Sequence, residues 1–269
     1  MSDSWMSNLD NNRTIGSLSI PGTHNSCALY GGDSYFSNDK KCQDASLDDQ
    51  LRDGIRFFDI RLCTNNGNLL LFHNDVYQEG DFSNVCKTCQ HFLAVHKTEF
   101  LIIRVKEESD FKDPSFSKIF INHAEQHDIF TIHGMHSKVG DVRGKVILLQ
   151  DFNGSDIPFG EFYIKYIPTT QDRFKYVNFE EKWNAICENF DSAQSNPNIP
   201  HFNYISASTF DLSIFTFNRF LGPRVWADNM NTRLDEWLRN SSSRSHIGVI
   251  IMDFYKPETC VTIWKRNFR

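Results

Sequence analysis

The chain is poor in positive charge. Its 28 lysines and arginines are outnumbered by 34 aspartates and glutamates, for a net charge of −6 with neutral histidines. No basic excess is left to neutralise nucleic-acid phosphates or to hold a broad anionic membrane patch. No apolar run approaches the length of a membrane-spanning helix. The opening MSDSWMSNLDNNRTIG has neither a basic start nor an apolar stretch. A cytoplasmic or peripheral-membrane protein is therefore expected, and a secreted one only if a leader has been removed. The seven cysteines are odd in number and scattered, unlike the framework of a disulfide-stapled small domain, and a reduced compartment is expected. No Pro/Gly/Ser-rich linker, low-complexity tract or internal repeat divides the chain, so residues 1–269 are expected to form a single domain.

What the chain does have is apolar mass in an alternating pattern. A composition 40% hydrophobic, with 24 phenylalanines, is enough for a full-sized core. Short β-rich runs recur: IGSLSI, GIRFFDIRL, LLLFH, EFLIIRVKE, GKVILLQDF, FNYISAS and IGVIIMDF. Several are apolar at consecutive positions, as strands buried on both faces of a parallel sheet are. Between them, Phe82, Val85, Cys89, Phe92, Leu93 and His96 follow a helical period, as do Phe179, Trp183, Ile186 and Phe190. Strand–helix alternation over this length predicts an α/β fold, a single barrel of (β/α)8 type. Sheet signals are weakest near residues 160–168.

The strand ends carry the chemistry. His24 follows LSIPGT, where Pro21 and Gly22 are expected to break the first strand. Asp59 and Arg61 close GIRFFDIR, His73 closes LLLFH, Lys106 closes LIIRVK and Asp253 closes GVIIMD. In a barrel these positions gather at one rim, and burying so many ionisable groups without a purpose would cost several kcal/mol each, on the order of the penalties known for buried charges. Two imidazoles flanking an arginine suit cleavage of a phosphodiester by an internal hydroxyl. One imidazole takes the hydroxyl proton, the other protonates the departing oxygen, and the arginine holds the non-bridging oxygens. A carboxylate such as Asp253 would fix the tautomer of its histidine. That reaction needs no cofactor.

Two other groupings have the spacing of chemical sites. Cys86 and Cys89 have metal or redox spacing, but they lie on an amphipathic helix with no second pair. His123, His127, His133 and His136 crowd a helix end and loop without a carboxylate in register, and a zinc site is not expected there.

SIPGTHNS, GIRFFDIRL, LLLFHNDVY, EFLIIRVKEE and IIMDF together resemble the X-domain of phosphatidylinositol-specific phospholipases C, in the small bacterial style. The resemblance runs from about Leu18 to the carboxyl-terminal IWKRNF and implies a distorted TIM barrel. It implies that His24 is the general base for the inositol 2-hydroxyl, Asp253 its orienting carboxylate and His73 the general acid. Arg61 resembles the phosphate-stabilising arginine of the metal-independent members, with Asp59 two residues before it. Lys106 stands where the family has a lysine near the inositol hydroxyls. QDRF resembles the segment that offers Asp172 and a ring platform, here Phe174 in place of the usual tyrosine.

The implied products are diacylglycerol and inositol 1,2-cyclic phosphate, made at a membrane surface by a peripheral monomer. Two departures stand out. The simple bacterial enzymes have an aspartate where this chain has Asn25, and an arginine where it has Asp151. The calcium-dependent relatives have His-Asn at the first position but need a carboxylate where Arg61 stands, so no metal is expected. The alternatives are a same-fold enzyme acting on another phospholipid or a glycosyl-phosphatidylinositol anchor, and a barrel that binds inositol lipids without turnover. The run Phe210, Leu212, Ile214, Phe215, Phe217, Phe220 and Leu221 is read either as core or as a membrane lip, with Tyr30, Tyr35 and Phe36 opposite.

Overall fold

The computed structural model describes residues 2–31, 40–108, 112–154, 157–160, 167, 169–174, 178–208, 222–242 and 245–268. Among these residues the strands are β1 (Ile20–Thr23), β2 (Phe57–Asn65), β3 (Asn68–His73), β4 (Val76–Asp81) and β5 (Leu101–Glu107). They continue with β6 (Val146–Asp151), β7 (Thr170–Gln171), β8 (Phe202–Tyr204) and β9 (Val249–Met252). The α-helices are α1 (Leu47–Arg52), α2 (Phe82–Val95), α3 (Phe116–Ala124), α4 (Val139–Val142), α5 (Phe179–Ser195), α6 (Pro223–Asn240) and α7 (Pro257–Trp264).

Seven strands run parallel in the order β6-β5-β2-β1-β9-β8-β7, the arrangement of a distorted TIM-type barrel. Among the described residues no ladder joins β6 to β7. A cavity of about 660 Å³ lies beside β7, walled by Arg104, Gln171, Asp172, Asn189 and Tyr204.

Period-two alternation separates two cores. Phe58, Ile60 and Leu62 face outward against α2, which buries Phe82, Val85, Cys86, Cys89, Phe92 and Leu93. Phe57, Ile102, Ile147, Phe202, Val249 and Ile251 face inward and meet the amino-terminal segment through Trp5, Met6, Ile15 and Leu18. The lower barrel is therefore largely apolar, apart from the buried Arg56–Glu99 ion pair ahead of β2 and β5, and the catalytic-type polar residues come at the upper, carboxyl end. Capping boxes at Asp81/Asn84 and Asn178/Glu181 fix where α2 and α5 begin.

Two expectations about strands are corrected. IGSLSI is mostly not a strand, since Ile15–Ser17 is a 3-10 turn and pairing starts at Ile20. Pro21 and Gly22 do not break β1 but lie within it. The Pro21 carbonyl accepts from the Arg56 backbone N–H at 3.0 Å, so the ladder loses only a donor there. A Cβ on Gly22 would sit 2.8 Å from Phe57 Cβ, so glycine is what lets β1 approach β2 closely.

LLLFH also departs from a parallel strand. As β3 it turns back antiparallel to β2 and pairs onward with β4. His73 lies two residues beyond the Leu62–Leu71 pair, so the hairpin returns it to the level of the rim. Among the described residues no helix is long and apolar enough to cross a membrane. Tyr30 is exposed, while Tyr35, Phe36 and the run Phe210 to Leu221 lie outside the described residues.

Candidate active site

Register places the first pair. Thr23 pairs with Met252, so the next residues, His24 and Asp253, leave β1 and β9 side by side. His24 Nδ1 lies 2.8 Å from Asp253 Oδ1, and Arg61 Nη2 lies 2.6 Å from His24 Nε2. A guanidinium only donates, so Nε2 carries the lone pair and Nδ1–H donates to Asp253. The chain then turns through Asn25, held in the left-handed region at φ 40°. The Asn25 N–H donates to Asp59 Oδ2 at 3.1 Å, which ties the turn to β2.

The adjacent strands supply a charge ladder. Asp59 pairs in register with Arg104, Arg61 with Lys106, and Lys106 with Asp151. Arg61 also donates to Asp59 Oδ2 through Nε and Nη2, at 3.3 and 3.2 Å, and to Glu108 Oε1 through Nη1 at 3.0 Å. Arg104 donates to Asp59 Oδ1 at 3.0 Å, the Tyr204 hydroxyl at 3.2 Å and Asp151 Oδ2 at 2.5 Å. Lys106 Nζ donates to Glu108 Oε2 at 2.8 Å.

Burial alone would raise the Asp59 carboxyl, but Arg104, Arg61 and His24 hold it well below the carboxylate range. For Glu108 the same opposition, won by Arg61 and Lys106, leaves it at about 2.

His73 stands across from His24 with ring centroids 6.4 Å apart and planes at 90°. Its Nδ1 is 2.6 Å from the Lys40 carbonyl, so Nδ1–H donates there and Nε2 is left for chemistry. Burial, then Arg61 and His24, push the imidazole down to about 3. The Cys42 sulfur lies 3.7 Å from His73 Nδ1.

The profile of the family described as "Phosphatidylinositol-specific phospholipase C, X domain" matches residues 18–151. A 1-phosphatidylinositol phosphodiesterase of Listeria monocytogenes is 30% identical over 281 residues, covering 98% of this chain and 84% of that protein. The chain belongs to the phosphatidylinositol-specific phospholipase C X-domain family. The solved phosphatidylinositol-specific phospholipase C from Listeria monocytogenes superposes with a TM-score of 0.83 at 27% identity, covering 100% of this chain and 99% of that one. A mutant of the Staphylococcus aureus phosphatidylinositol-specific phospholipase C gives 0.83 at 18% identity, over 98% and 97% of the two chains, which speaks for the fold alone.

Within this phospholipase C fold, His24, Asp253, Arg61, Asp59 and Lys106 converge as their strand-end positions required, and His73 joins them through the hairpin. Asp172 and Phe174 follow β7 and are exposed, with Asp172 on the cavity wall. Asn25 is buried, bonds to neither histidine through its side chain, and leaves Nδ2 without a partner. Asp151 does not stand as a lone carboxylate. It is paired with Arg104 from the next strand.

The strand-end reading does not reach Arg104, Glu108 or Tyr204, which complete this network. Arg104 was within reach of the sequence, because it precedes Lys106 by two and so shares its face, as Asp59 does with Arg61. Cys86 and Cys89 are packed in α2, and burial pushes both thiols up. Among the described residues one metal-type grouping of three converges, His24, Cys42 and Asp253, within 4.8 Å. It is a poor cation site. Burial raises the Cys42 thiol well above its ordinary value, and the Asp253 oxygen is engaged by His24.

Proposed function

We propose that the protein, one barrel spanning residues 1–269, cleaves phosphatidylinositol to diacylglycerol and inositol 1,2-cyclic phosphate without a metal, working as a peripheral monomer at a lipid surface. The name of its 30%-identical relative, 1-phosphatidylinositol phosphodiesterase, supports the substrate. The observation that carries the mechanism is the chain Asp253–His24–Arg61, with distances of 2.8 and 2.6 Å, facing His73.

Arg61 caps the His24 lone pair before substrate arrives. An anionic phosphodiester draws the guanidinium onto its non-bridging oxygens and uncovers Nε2 for the inositol 2-hydroxyl. His24 takes that proton as the hydroxyl oxygen bonds to phosphorus, and Asp253 stabilises the imidazolium formed. The bond from phosphorus to the glycerol oxygen breaks, and His73 protonates that oxygen through Nε2. His73 is neutral in the free site, with its lone pair on Nε2. As the phosphate charge offsets Arg61, one of the causes that depress it, Nε2 takes up a proton from solvent, and this is the proton passed to the glycerol oxygen. Asp59 fixes the angle of Arg61 from below, and the Asn25 turn anchors to Asp59. Lys106, Asp172 and Phe174 border the inositol ring, and the Arg104–Asp151 pair supplies the cation that the family otherwise carries on β6.

The test is a panel of phospholipids with and without a strong chelator, with phosphorus NMR of the products. Phosphatidylinositol turned over to a cyclic phosphate in both conditions is expected. Loss of activity in chelator with recovery on adding calcium would overturn the role given to Arg61. Binding without turnover would overturn the enzyme reading.

A further inference from the structure

Lys182 is a buried ionisable group for which the catalytic reading has no use. It sits on α5 with no solvent exposure. Its Nζ donates to the Arg173 carbonyl at 2.7 Å and to Gln171 Oε1 at 3.3 Å. Gln171 Oε1 also accepts from the Arg173 N–H at 2.8 Å, while its amide donates to Asn203 Oδ1 at 2.8 Å and the Tyr204 carbonyl at 3.0 Å. Asn203 in turn donates to the Ile186 carbonyl at 3.0 Å, closing the network back onto α5. β7 needs such support, because it has two residues and among the described residues pairs only with β8. Directly after it come Asp172 and Phe174.

We propose that Lys182 is a positioning residue for the headgroup wall: its ammonium ties the end of β7 to α5 and so sets where Asp172 and Phe174 stand. This rests on reading those two residues as contacts to the inositol ring. A methionine would fill the same volume without a desolvation cost, but it would leave the Arg173 carbonyl without this donor. Burial pushes the Lys182 ammonium down to about 7, against the opposing pull of Asp172 and Asp253 and with a further push from Arg173, which are the charges acting on it. The clamp therefore loosens as pH rises through that value, because the neutral amine is a weaker donor and no longer attracts Asp172.

Lys182→Met is compared with wild type on a soluble short-chain phosphatidylinositol. KM should rise about tenfold while kcat changes by less than about threefold, the signature of lost ground-state positioning. The melting temperature at about pH 6 should not fall, since a buried charge has been removed. Wild-type KM should climb between about pH 6 and about pH 9, and the variant should stay high and flat. An unchanged KM in the variant, or a loss of kcat and melting temperature together, would overturn the proposal. Should the variant fail to fold, a wild-type KM flat across that range overturns it. Asp172→Ala separates the two readings. If it raises KM where Lys182→Met does not, the clamp alone is wrong, and if it leaves KM unchanged, the headgroup wall falls and the clamp with it.

Discussion

Glu108→Gln is the most informative single change to the rim. Glu108 is 2% exposed at the side chain and accepts from Arg61 Nη1, Lys106 Nζ and the Asn74 N–H. Its carboxyl is moved from an ordinary 4.5 to about 2, which corresponds to ~3 kcal/mol of differential stabilisation of the charged form. Glutamine keeps one acceptor oxygen but turns an amide donor toward Lys106 or Arg61, leaving two cations short of a counter-charge.

A loss of ~3 kcal/mol at about pH 7 is expected from urea unfolding, in the range for breaking a buried ion pair from one side. The pH dependence carries the sign. Because the folded value lies below the unfolded one, the contribution is complete above about pH 4.5 and is lost as pH falls toward 2. The gap between wild type and variant should close over that window. Turnover of soluble substrate should fall at least about tenfold, since a guanidinium freed on one side is misplaced for part of the time. A stability change under about 0.5 kcal/mol at neutral pH, or a gap that stays constant into acid, would refute the electrostatic account.

His24→Ala and His73→Ala should each lose about two to four orders of magnitude in rate with the fold intact by circular dichroism. A substrate with a good leaving group should restore only the His73 variant, and equal restoration of both would mean the roles are misassigned. Asn25→Asp would raise activity if Asn25 stood beside His73, but here it buries a carboxylate on the residue whose N–H serves Asp59. A lower melting temperature, no gain in rate and an unmoved acidic limb are expected, and a gain in rate would show that residue 25 does reach the acid.

Much of this arrangement was legible because strands repeat every two residues and barrels align their ends. His24, Asp59, Arg61, Lys106 and Asp253 followed from that alone. β4 was not legible. Its Val76–Asp81 sequence is polar, contains Gly80, carries Glu79 at φ 52° and forms an irregular register with β3. Without β4, LLLFH looked like one more parallel strand. The residues Pro21 and Gly22 misled because they usually end strands, and the close contact with Phe57 that makes glycine necessary is a tertiary fact. Lys182 is only faintly legible in the sequence. It lies three residues after Phe179 and four before Ile186, on the buried stripe of α5. A lysine on such a stripe reads as a surface residue until its partners are seen.

The pairing of charges at the rim also governs how substrate is captured. Asp59, Glu108 and Asp151 stand within salt-bridge distance of Arg61, Arg104 and Lys106, so their fields largely cancel a few ångströms away. With an overall charge of −6, the molecule offers an approaching anionic lipid no long-range attraction. What remains at long range is a weak repulsion that added salt screens, so the rate of encounter with an anionic lipid should not fall as ionic strength rises. On the mechanism proposed above, discrimination would begin on contact, when a phosphate replaces one of Arg61's existing partners.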